Sequence, residues 1–557
     1  MNLTLPPVVI QTKKDNGLKQ KETSQQNHLQ TLLDGFVDLS EVKKYKPAFK
    51  GLSDNSNKVH EGFLFLASAG RCIVTDKQTK KWPQHGIAYA GDAINRGASL
   101  ILWEPTEELN EMPASCVVKG RAEVPLIRIN LLHEKIGEIA SRFYQHPSHA
   151  MGVIGITGTN GKTSISHFIA QTISAIEQAD SSSEAKKCAV IGTLGNGIYG
   201  ELQESTHTTP DAVTLQALMA EFKEQGVNTV VMEVSSHALA QGRVNGVEFN
   251  TAVFSNLSRD HLDYHGDMNS YGDEKLKLFQ FSSIQHIVLN LDDAFSEKII
   301  AAVSKAQNSV SIVTYSKENK KADYFADNIV MSNEGISFEL VQQSQIEVSY
   351  SIKTRLLGDF NIDNLLASIA VLHQQGYALD QIAAQLAKVS TVPGRMEKVG
   401  IDKEQALMVI DYAHTPDALE KSLMALKAHT QGQLICVFGC GGDRDKGKRR
   451  LMAQIAEVQA DKVIVTSDNP RTESAEQIID EVMQGFNDTK PIIVEVDREQ
   501  AIKKAIQYAT VDDVILVAGK GHEDYQDIQG VKRPFSDKAC ILAEIEQGIV
   551  QSNECLH

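Results

Sequence analysis

Apolar and polar positions change their spacing three times along the chain. Over residues 49–148 the apolar runs are short and mixed, at 62–69, 98–103 and 124–129, as a small α/β unit with its own sheet would show. From Met151 the pattern becomes regular: apolar runs at 188–192, 228–234, 251–257, 286–291 and 310–315 read as strands, with helical periodicity between them, as at 211–225. Such alternation predicts a mostly parallel sheet with helices on both faces. Period-two patterning over 336–352 predicts a hairpin, and helices over 361–389 close this unit. From residue 392 strands at 406–412, 434–439, 462–466, 491–496 and 514–518 alternate again with helices. That is a doubly wound, Rossmann-like sheet, and without a GxGxxG fingerprint no dinucleotide is expected on it.

The expected fold class is therefore α/β in three domains: 1–148, with a partly mobile arm over 1–40 in which 11–30 reads as a mobile arm or a weak helix; 149–391; and 392–557. A linker is expected over 141–149, and surface loops at 75–84 and 179–187. The length, 557 residues, accommodates about three or four such cores. A formal net charge of −16 argues against a nucleic-acid partner, since phosphate backbones reward clustered Lys and Arg. No apolar run is long enough to span a bilayer and the N-terminus lacks a signal-peptide pattern, so a cytoplasmic protein with no membrane partner is expected. Of the seven cysteines only Cys436 and Cys440 are close, and with no second pair for zinc they read as buried or loop thiols.

The strongest chemical signal is Gly158-Thr159-Asn160-Gly161-Lys162-Thr163-Ser164, between an apolar run and a helical pattern over 162–176. Glycines let backbone N–H groups approach phosphate oxygens, the helix N-terminus adds positive potential, Lys162 adds a charge and Thr163 offers a hydroxyl to Mg²⁺. The spacing is shorter than a full Walker A motif, with Ile156 where its first glycine would stand. ATP or GTP is the expected ligand. Glu233 ends an apolar strand, where it either holds Mg²⁺ or faces solvent; the phosphate loop favours the metal. The segment 255–267 concentrates Asp260, His261, Asp263, His265 and Asp267, of which one or two are expected to serve a metal and the rest to cap or pair. Lys275, from its local sequence alone, reads as a surface charge. In the third unit Asp411 to Asp417, Gly439 to Arg449, Asp468 to Arg471 and Gly519 to Glu523 each follow a strand, and several such loops on one sheet edge predict a binding cleft in which Arg can grip a carboxylate.

Taken in order, Gly-Thr-Asn-Gly-Lys-Thr, His207-Thr-Thr-Pro, Met-Glu-Val-Ser-Ser-His, the Asn256 to Asp267 run, Gly394-Arg-Met-Glu, Asp411-Tyr-Ala-His-Thr-Pro-Asp, Asp468-Asn-Pro-Arg and Gly519-Lys-Gly-His-Glu resemble the Mur ligase family, its diaminopimelate-adding branch above all. The resemblance is weak before residue 150 and dense after it. It implies a UDP-substrate domain, a central P-loop ATPase-like domain and a C-terminal domain for the incoming amino acid. It implies amide-bond formation driven by ATP: the D-Glu carboxylate of UDP-MurNAc-L-Ala-D-Glu is phosphorylated, and meso-diaminopimelate attacks the acyl phosphate. By motif, Lys162, Lys275, His261 and Glu233 would be catalytic, with Thr163, Glu233, His261 and a CO₂-derived carbamate on Lys275 serving Mg²⁺. Asn361, Arg395, Asp411 and His414 would join the phosphate loop in holding ATP; Ser56, Thr208, Thr209, Ser235, Gln241 and Arg243 would hold the UDP substrate. Arg444, Asp468, Asn469, Pro470, Arg471, Gly519 and Glu523 would hold diaminopimelate, Arg471 meeting the second carboxylate that lysine lacks. Lysine-adding relatives lack that arginine. A monomer is expected.

The chain departs from the family at Asn55-Ser56-Asn57, where Asp-Ser-Arg is common, and at Arg450, where proline is usual. The alternatives are a lysine-adding or other Mur ligase, a folylpolyglutamate synthase-like enzyme, and an ATP-gated binding or regulatory protein. Asp468 to Arg471 argues against the first, the long N-terminal domain against the second, and intact Lys162, Glu233, His261 and Lys275 against the third.

Overall fold

The computed structural model describes residues 29–554 except 44, 46–48, 70–72, 75–79, 82–84, 119, 180–185, 206, 307–309, 333, 346–347, 401–404, 445 and 488–491. The architecture is mixed α/β, built on three main sheets. In the first, Gly51–Ser53, Phe63–Ala67, Ala98–Trp103 and Val124–Arg128 run parallel, with Ser115–Cys116 antiparallel at one edge. Helix Leu132–Phe143 covers it through Leu132, Ile136, Ile139 and Ala140, one apolar stripe at helical spacing.

Two sequence expectations fail here. The linker over 141–149 does not begin at 141: Ser141 is buried inside that helix, because the stripe runs on to Phe143, and only the 3₁₀ turn Pro147–Ala150 precedes the next strand. The mobile arm does not reach residue 40 either. Helix Leu29–Leu33 buries Leu29, Leu32 and Leu33 in the first core, and the Arg142 guanidinium lies 4.6 Å from the Phe36 ring centre. The remainder of the expected arm, up to residue 28, and most of the loops at 75–84 and 179–187 lie outside the described residues.

The central sheet has ten strands. Lys187–Gly192, Val227–Glu233, Gly152–Thr157, Thr251–Phe254, His286–Asn290 and Ser311–Ser316 form its parallel body in that spatial order. Gly195–Ile198 pairs antiparallel at one edge, and Tyr324–Ser332, Gly335–Gln342 and Ser349–Thr354 extend the other. The hairpin expected over 336–352 is present, but Tyr324–Ser332 was not legible: its outer half, with Ile329 and Val330 exposed, breaks the alternation. Helices Lys162–Ala179 and Phe360–Gln374 pack on one face, and Ala212–Glu224 on the other.

In the third sheet Leu407–Asp411, Val514–Ala518, Leu434–Phe438, Lys462–Val465 and Ile492–Val494 are parallel neighbours, with Glu397–Val399 antiparallel at the edge. Helices Pro416–Lys427, Gly447–Gln459 and Ala475–Met483 cover one face; Arg498–Tyr508 and Asp537–Glu554 cover the other, which is doubly wound geometry. Cys436 and Cys440 are buried thiols in this core, their pKa values pushed up to about 12 by burial. The hairpin Tyr525–Ile528 with Val531–Pro534 carries no buried face and left no sequence pattern.

A candidate active site at the carboxyl ends of two parallel sheets

Strand Gly152–Thr157 feeds the loop at 158–161, and helix Lys162–Ala179 starts at once. Gly158 has φ +149°, and a Cβ there would lie 1.9 Å from Ser255 Oγ, so only glycine fits. The neighbouring strand end holds the loop: Thr159 N–H donates to Asn256 O (2.8 Å), Asn160 N–H to Asn256 Oδ1 (3.0 Å) and Ser255 Oγ to Asn160 O (2.6 Å). Lys162 Nζ donates to the Gly158 and Thr159 carbonyls, both at 2.9 Å. Burial lowers its pKa, while Glu233 and Asp260 oppose that shift.

Glu233 is 1% exposed, which rules out the solvent-facing alternative. Its Oε2 accepts from Thr163 Oγ1 at 2.9 Å and its Oε1 from Thr193 N–H at 2.8 Å. Gly192 makes room for it, since a Cβ there would lie 2.2 Å from Oε1. Burial raises the carboxyl pKa. Thr163 and Glu233 thus form a pair of hard oxygen donors beside the phosphate loop, the chemistry Mg²⁺ selects.

The surface reading of Lys275 is wrong. It is 1% exposed, its Nζ donates to Gly158 O at 2.8 Å and lies 4.4 Å from the Tyr271 ring centre. Asp267 caps helix Met268–Leu276 through Asn269 and Ser270 N–H, and that helix turns Tyr271 and Lys275, four residues apart, inward together. Burial first, then the charge of Lys162, holds the Lys275 pKa well below its ordinary value. His261 is 47% exposed, with Nε2 3.4 Å from Asp260 and its ring edge-on to His237 at 4.8 Å, and it is outside the lining of the cavity beside the phosphate loop. Among the described residues no three His, Cys, Asp or Glu side chains form a metal cluster.

A cavity of about 740 Å³ opens from the phosphate loop to the third sheet. Its lining includes Thr159 to Ser164, Thr208, Glu233, Asn361, Arg395 and Asp411, all anticipated, together with Thr193, Ser255, Asn256, Asp363, Asn364 and Lys421, which were not. Asn361 Nδ2 donates to Leu357 O (2.7 Å) and its Oδ1 accepts from Asn364 Nδ2 (2.9 Å), so the second asparagine was findable at i+3 on the same helical face. Thr193 and Lys421 carry no local signal. Arg395 lies over the Tyr412 ring, 5.3 Å from its centre, and Asp411 Oδ2 accepts from Met396 N–H at 2.7 Å. His414 is outside the lining, its Nδ1 2.8 Å from Tyr412 O.

The expected UDP-substrate residues divide. Ser56 lines a separate cavity of about 470 Å³ with Asp54, Asn55, Tyr89 and Asp211. Burial and the charge of Asp211 raise the Asp54 pKa to about 6. The others meet beside Glu233: Thr209 Oγ1 donates to Glu233 O (2.8 Å) and accepts from Ser235 N–H (3.1 Å), Thr208 Oγ1 is 3.0 Å from Thr193 Oγ1, and Arg243 binds Thr209 O (2.9 Å) and Gln241 Oε1 (2.8 Å).

On the third sheet, Asn469 Nδ2 and Lys520 Nζ both donate to Glu523 Oε2, at 2.8 and 2.9 Å. Asp468 Oδ1 accepts from Asn469 N–H at 2.6 Å, while Oδ2 is buried without a protein partner beside Gly519. Arg471 Nη1 donates to Gly442 O at 2.7 Å; Arg444 is exposed one loop away. Lys520, fully buried, was missed, and Arg449 in the cationic loop turns inward, fully buried against Glu473 and Glu481.

The Mur ligase middle domain matches residues 156–372 and the Mur ligase, glutamate ligase domain matches 394–521. The UDP-N-acetylmuramoyl-L-alanyl-D-glutamate–2,6-diaminopimelate ligase of Chromobacterium violaceum is 45% identical over 490 residues, 88% of this chain and 92% of its own. A solved structure of a ligase of the same name is 37% identical with a TM-score of 0.66, covering 92% of this chain and 99% of its own. Folylpolyglutamate synthase of Mycobacterium tuberculosis, complexed with ADP, shares only the fold, at 19% identity and TM-score 0.54 over 69% of this chain and 91% of its own. The chain belongs to the Mur ligase family.

Proposed function

We propose that this chain is an ATP-dependent ligase that joins meso-2,6-diaminopimelate to the D-Glu γ-carboxylate of UDP-MurNAc-L-Ala-D-Glu in peptidoglycan precursor synthesis. The observation that carries it is 45% identity, over nearly the whole chain, to a ligase named for that reaction. The γ-carboxylate attacks the γ-phosphorus of ATP, ADP leaves, and the amine attacks the acyl-phosphate carbonyl, expelling phosphate and losing a proton. Lys162 and the N–H groups at the start of helix Lys162–Ala179 receive the phosphates, which charge neutralisation and in-line positioning demand. Thr163 and Glu233 are the oxygen pair that would hold Mg²⁺, with His261 as a further expected ligand. Mg²⁺ bound there would neutralise phosphate charge. Lys275, buried and shifted toward its neutral amine, suits reaction with CO₂ to an anionic carbamate.

In this reading Asn361, Arg395, Asp411 and His414 border ATP. Ser56 begins, and Thr208, Thr209, Ser235, Gln241 and Arg243 continue, the path of the UDP substrate. Arg444, Asp468, Asn469, Pro470, Arg471, Gly519 and Glu523 receive diaminopimelate, whose second carboxylate suits the Arg471 guanidinium. The working units are 1–148, 149–391 and 392–557, in a cytoplasmic monomer; among the described residues no helix is long and apolar enough to cross a membrane.

Phosphate release with ATP, Mg²⁺ and UDP-MurNAc-L-Ala-D-Glu tests the reading. Release is expected with meso-diaminopimelate, not with L-lysine, and in Arg471→Ala needs a far higher diaminopimelate concentration. Release with lysine alone would overturn the assigned amine; release with neither would overturn the reaction.

A further inference from the structure

Arg471 is held by an unusual amount of structure for a side chain offered to a ligand. Its backbone is left-handed, φ +50°, a conformation that side-chain-bearing residues seldom adopt without being forced. Its N–H donates to Asp527 O at 2.9 Å, tying it to the hairpin that begins with Tyr525–Ile528, and its Nη1 reaches Gly442 O in the facing loop. Directly after Gly442, Asp443 is also left-handed, φ +53°. It returns the contact: Asp443 Oδ1 accepts from Thr472 Oγ1 at 2.7 Å and Oδ2 from Thr472 N–H at 3.2 Å, while Asp443 N–H donates to Glu473 Oε1 at 2.7 Å. Glu473 is fixed from behind by the buried Arg449, at 2.9 and 3.0 Å. Two left-handed loop tips are therefore laced to each other, and the Arg471 guanidinium is tied into the lacing through Gly442 O.

We infer that Asp443 is the positioning residue for Arg471, and that through it the chain selects amines whose far end carries a carboxylate. The inference rests on the proposed amide-forming reaction. Asp443 touches neither substrate in this scheme. It sets where the Arg471 fork points, and a bidentate grip on a carboxylate tolerates little misalignment. Because Asp443 is exposed, its removal leaves the core intact, so a change in amine selection can be read without loss of the fold.

The test uses the full chain and five proteins: wild type, Asp443→Ala, Asp443→Asn, Arg471→Ala and the double variant of Asp443→Ala with Arg471→Ala. In Asp443→Ala the KM for meso-diaminopimelate is expected to rise about tenfold, with kcat within about threefold and the KM values for ATP and the UDP substrate unchanged. Preference for diaminopimelate over lysine falls in parallel, and Asp443→Asn, which keeps one acceptor, falls between. Added to Arg471→Ala, the same change should alter the diaminopimelate KM less than about twofold, since its effect has lost its carrier. An unchanged KM in Asp443→Ala overturns the inference, as does a full additional loss in the double variant. Wild type that releases phosphate with no amine overturns the functional reading, and the inference falls with it.

Discussion

At the phosphate loop Lys162 and Lys275 are drawn in from water onto backbone carbonyls, both touching Gly158 O, and among the described residues neither makes an ion pair. At the strand ends of the third sheet three other cations are fully buried, and each meets a carboxylate: Arg449 with Glu473 and Glu481, Arg498 with Asp537 at 2.7 Å, Lys520 with Glu523. The consequences run in opposite directions. Burial pulls the pKa of Lys162 and Lys275 down, whereas their carboxylate partners raise those of Arg449 and Arg498. Uncompensated buried charge is costly to keep and marks a place where an anion is expected. Compensated buried charge is framework: in the third sheet it fixes loops so that Arg471 and Arg444 remain available. At the phosphate loop Lys162 is left as a charge for the ligand and Lys275 is shifted toward its neutral amine, whereas the third sheet uses most of its buried cations in its own architecture.

The sharpest way to break this comparison is at the phosphate loop. Lys162→Ala removes the charge that the proposed reaction sets against the transferred phosphoryl group, and turnover should fall on the order of 10³-fold with the fold retained. Phosphate-release assays with circular dichroism on the same sample check both halves; turnover within a few-fold of wild type would mean that the lysine is not offered to phosphate. A smaller effect is expected from pH at Lys275. Its pKa is lowered in the folded chain, so the fraction of neutral amine rises as pH climbs through that lowered value and is lost below it. Carbamate forms only from the neutral amine. With ¹³C-bicarbonate, a carbamate resonance absent from Lys275→Arg should therefore persist to lower pH than that of an exposed lysine, whose ordinary pKa of about 10.4 leaves little neutral amine at neutral pH. A Lys275 signal that falls with pH just as an exposed lysine's does would show that burial does not govern this amine.

Sequence pattern and structure agree where side chains report their own surroundings. The phosphate loop, the strand ends bearing Glu233, Asp411 and Asp468, and the three-sheet α/β architecture were legible because glycine spacing and apolar periodicity are local signals. Lys275 was not legible as a buried group: the helix that carries it has polar neighbours at Asp273 and Lys277, and only the docking of Tyr271 beside Thr159, at 3.2 Å, turns that face inward. Thr193 enters the site from the end of a strand far from the phosphate loop in sequence, whereas Asn364 stood three residues from the anticipated Asn361. Arg449 shows the reverse error. Its run of Lys and Arg reads as donors for a ligand, yet the two glutamates that capture it lie 24 and 32 residues on, beyond any local window.

That last cluster also supplies the smallest effect and a clean internal contrast. Lys446 lies beside the same two carboxylates as Arg449, 3.4 Å from Glu473 and 3.6 Å from Glu481, but it is 57% exposed. Glu473 keeps its carboxyl pKa near about 2, with the Arg449 hydrogen bond as the first cause and Lys446 far behind it. If burial and not charge count makes these ion pairs structural, Lys446→Ala should cost at most about 0.5 kcal/mol and move the thermal midpoint by less than about 2 °C. Salt should mask even that, because exposed pairs are screened over about 8–10 Å at ordinary ionic strength. A loss of several degrees that persists in high salt would mean that the exposed lysine belongs to the frame as fully as the buried arginine, and the division between cations kept for a ligand and cations used as framework would then have to be drawn by partner rather than by burial.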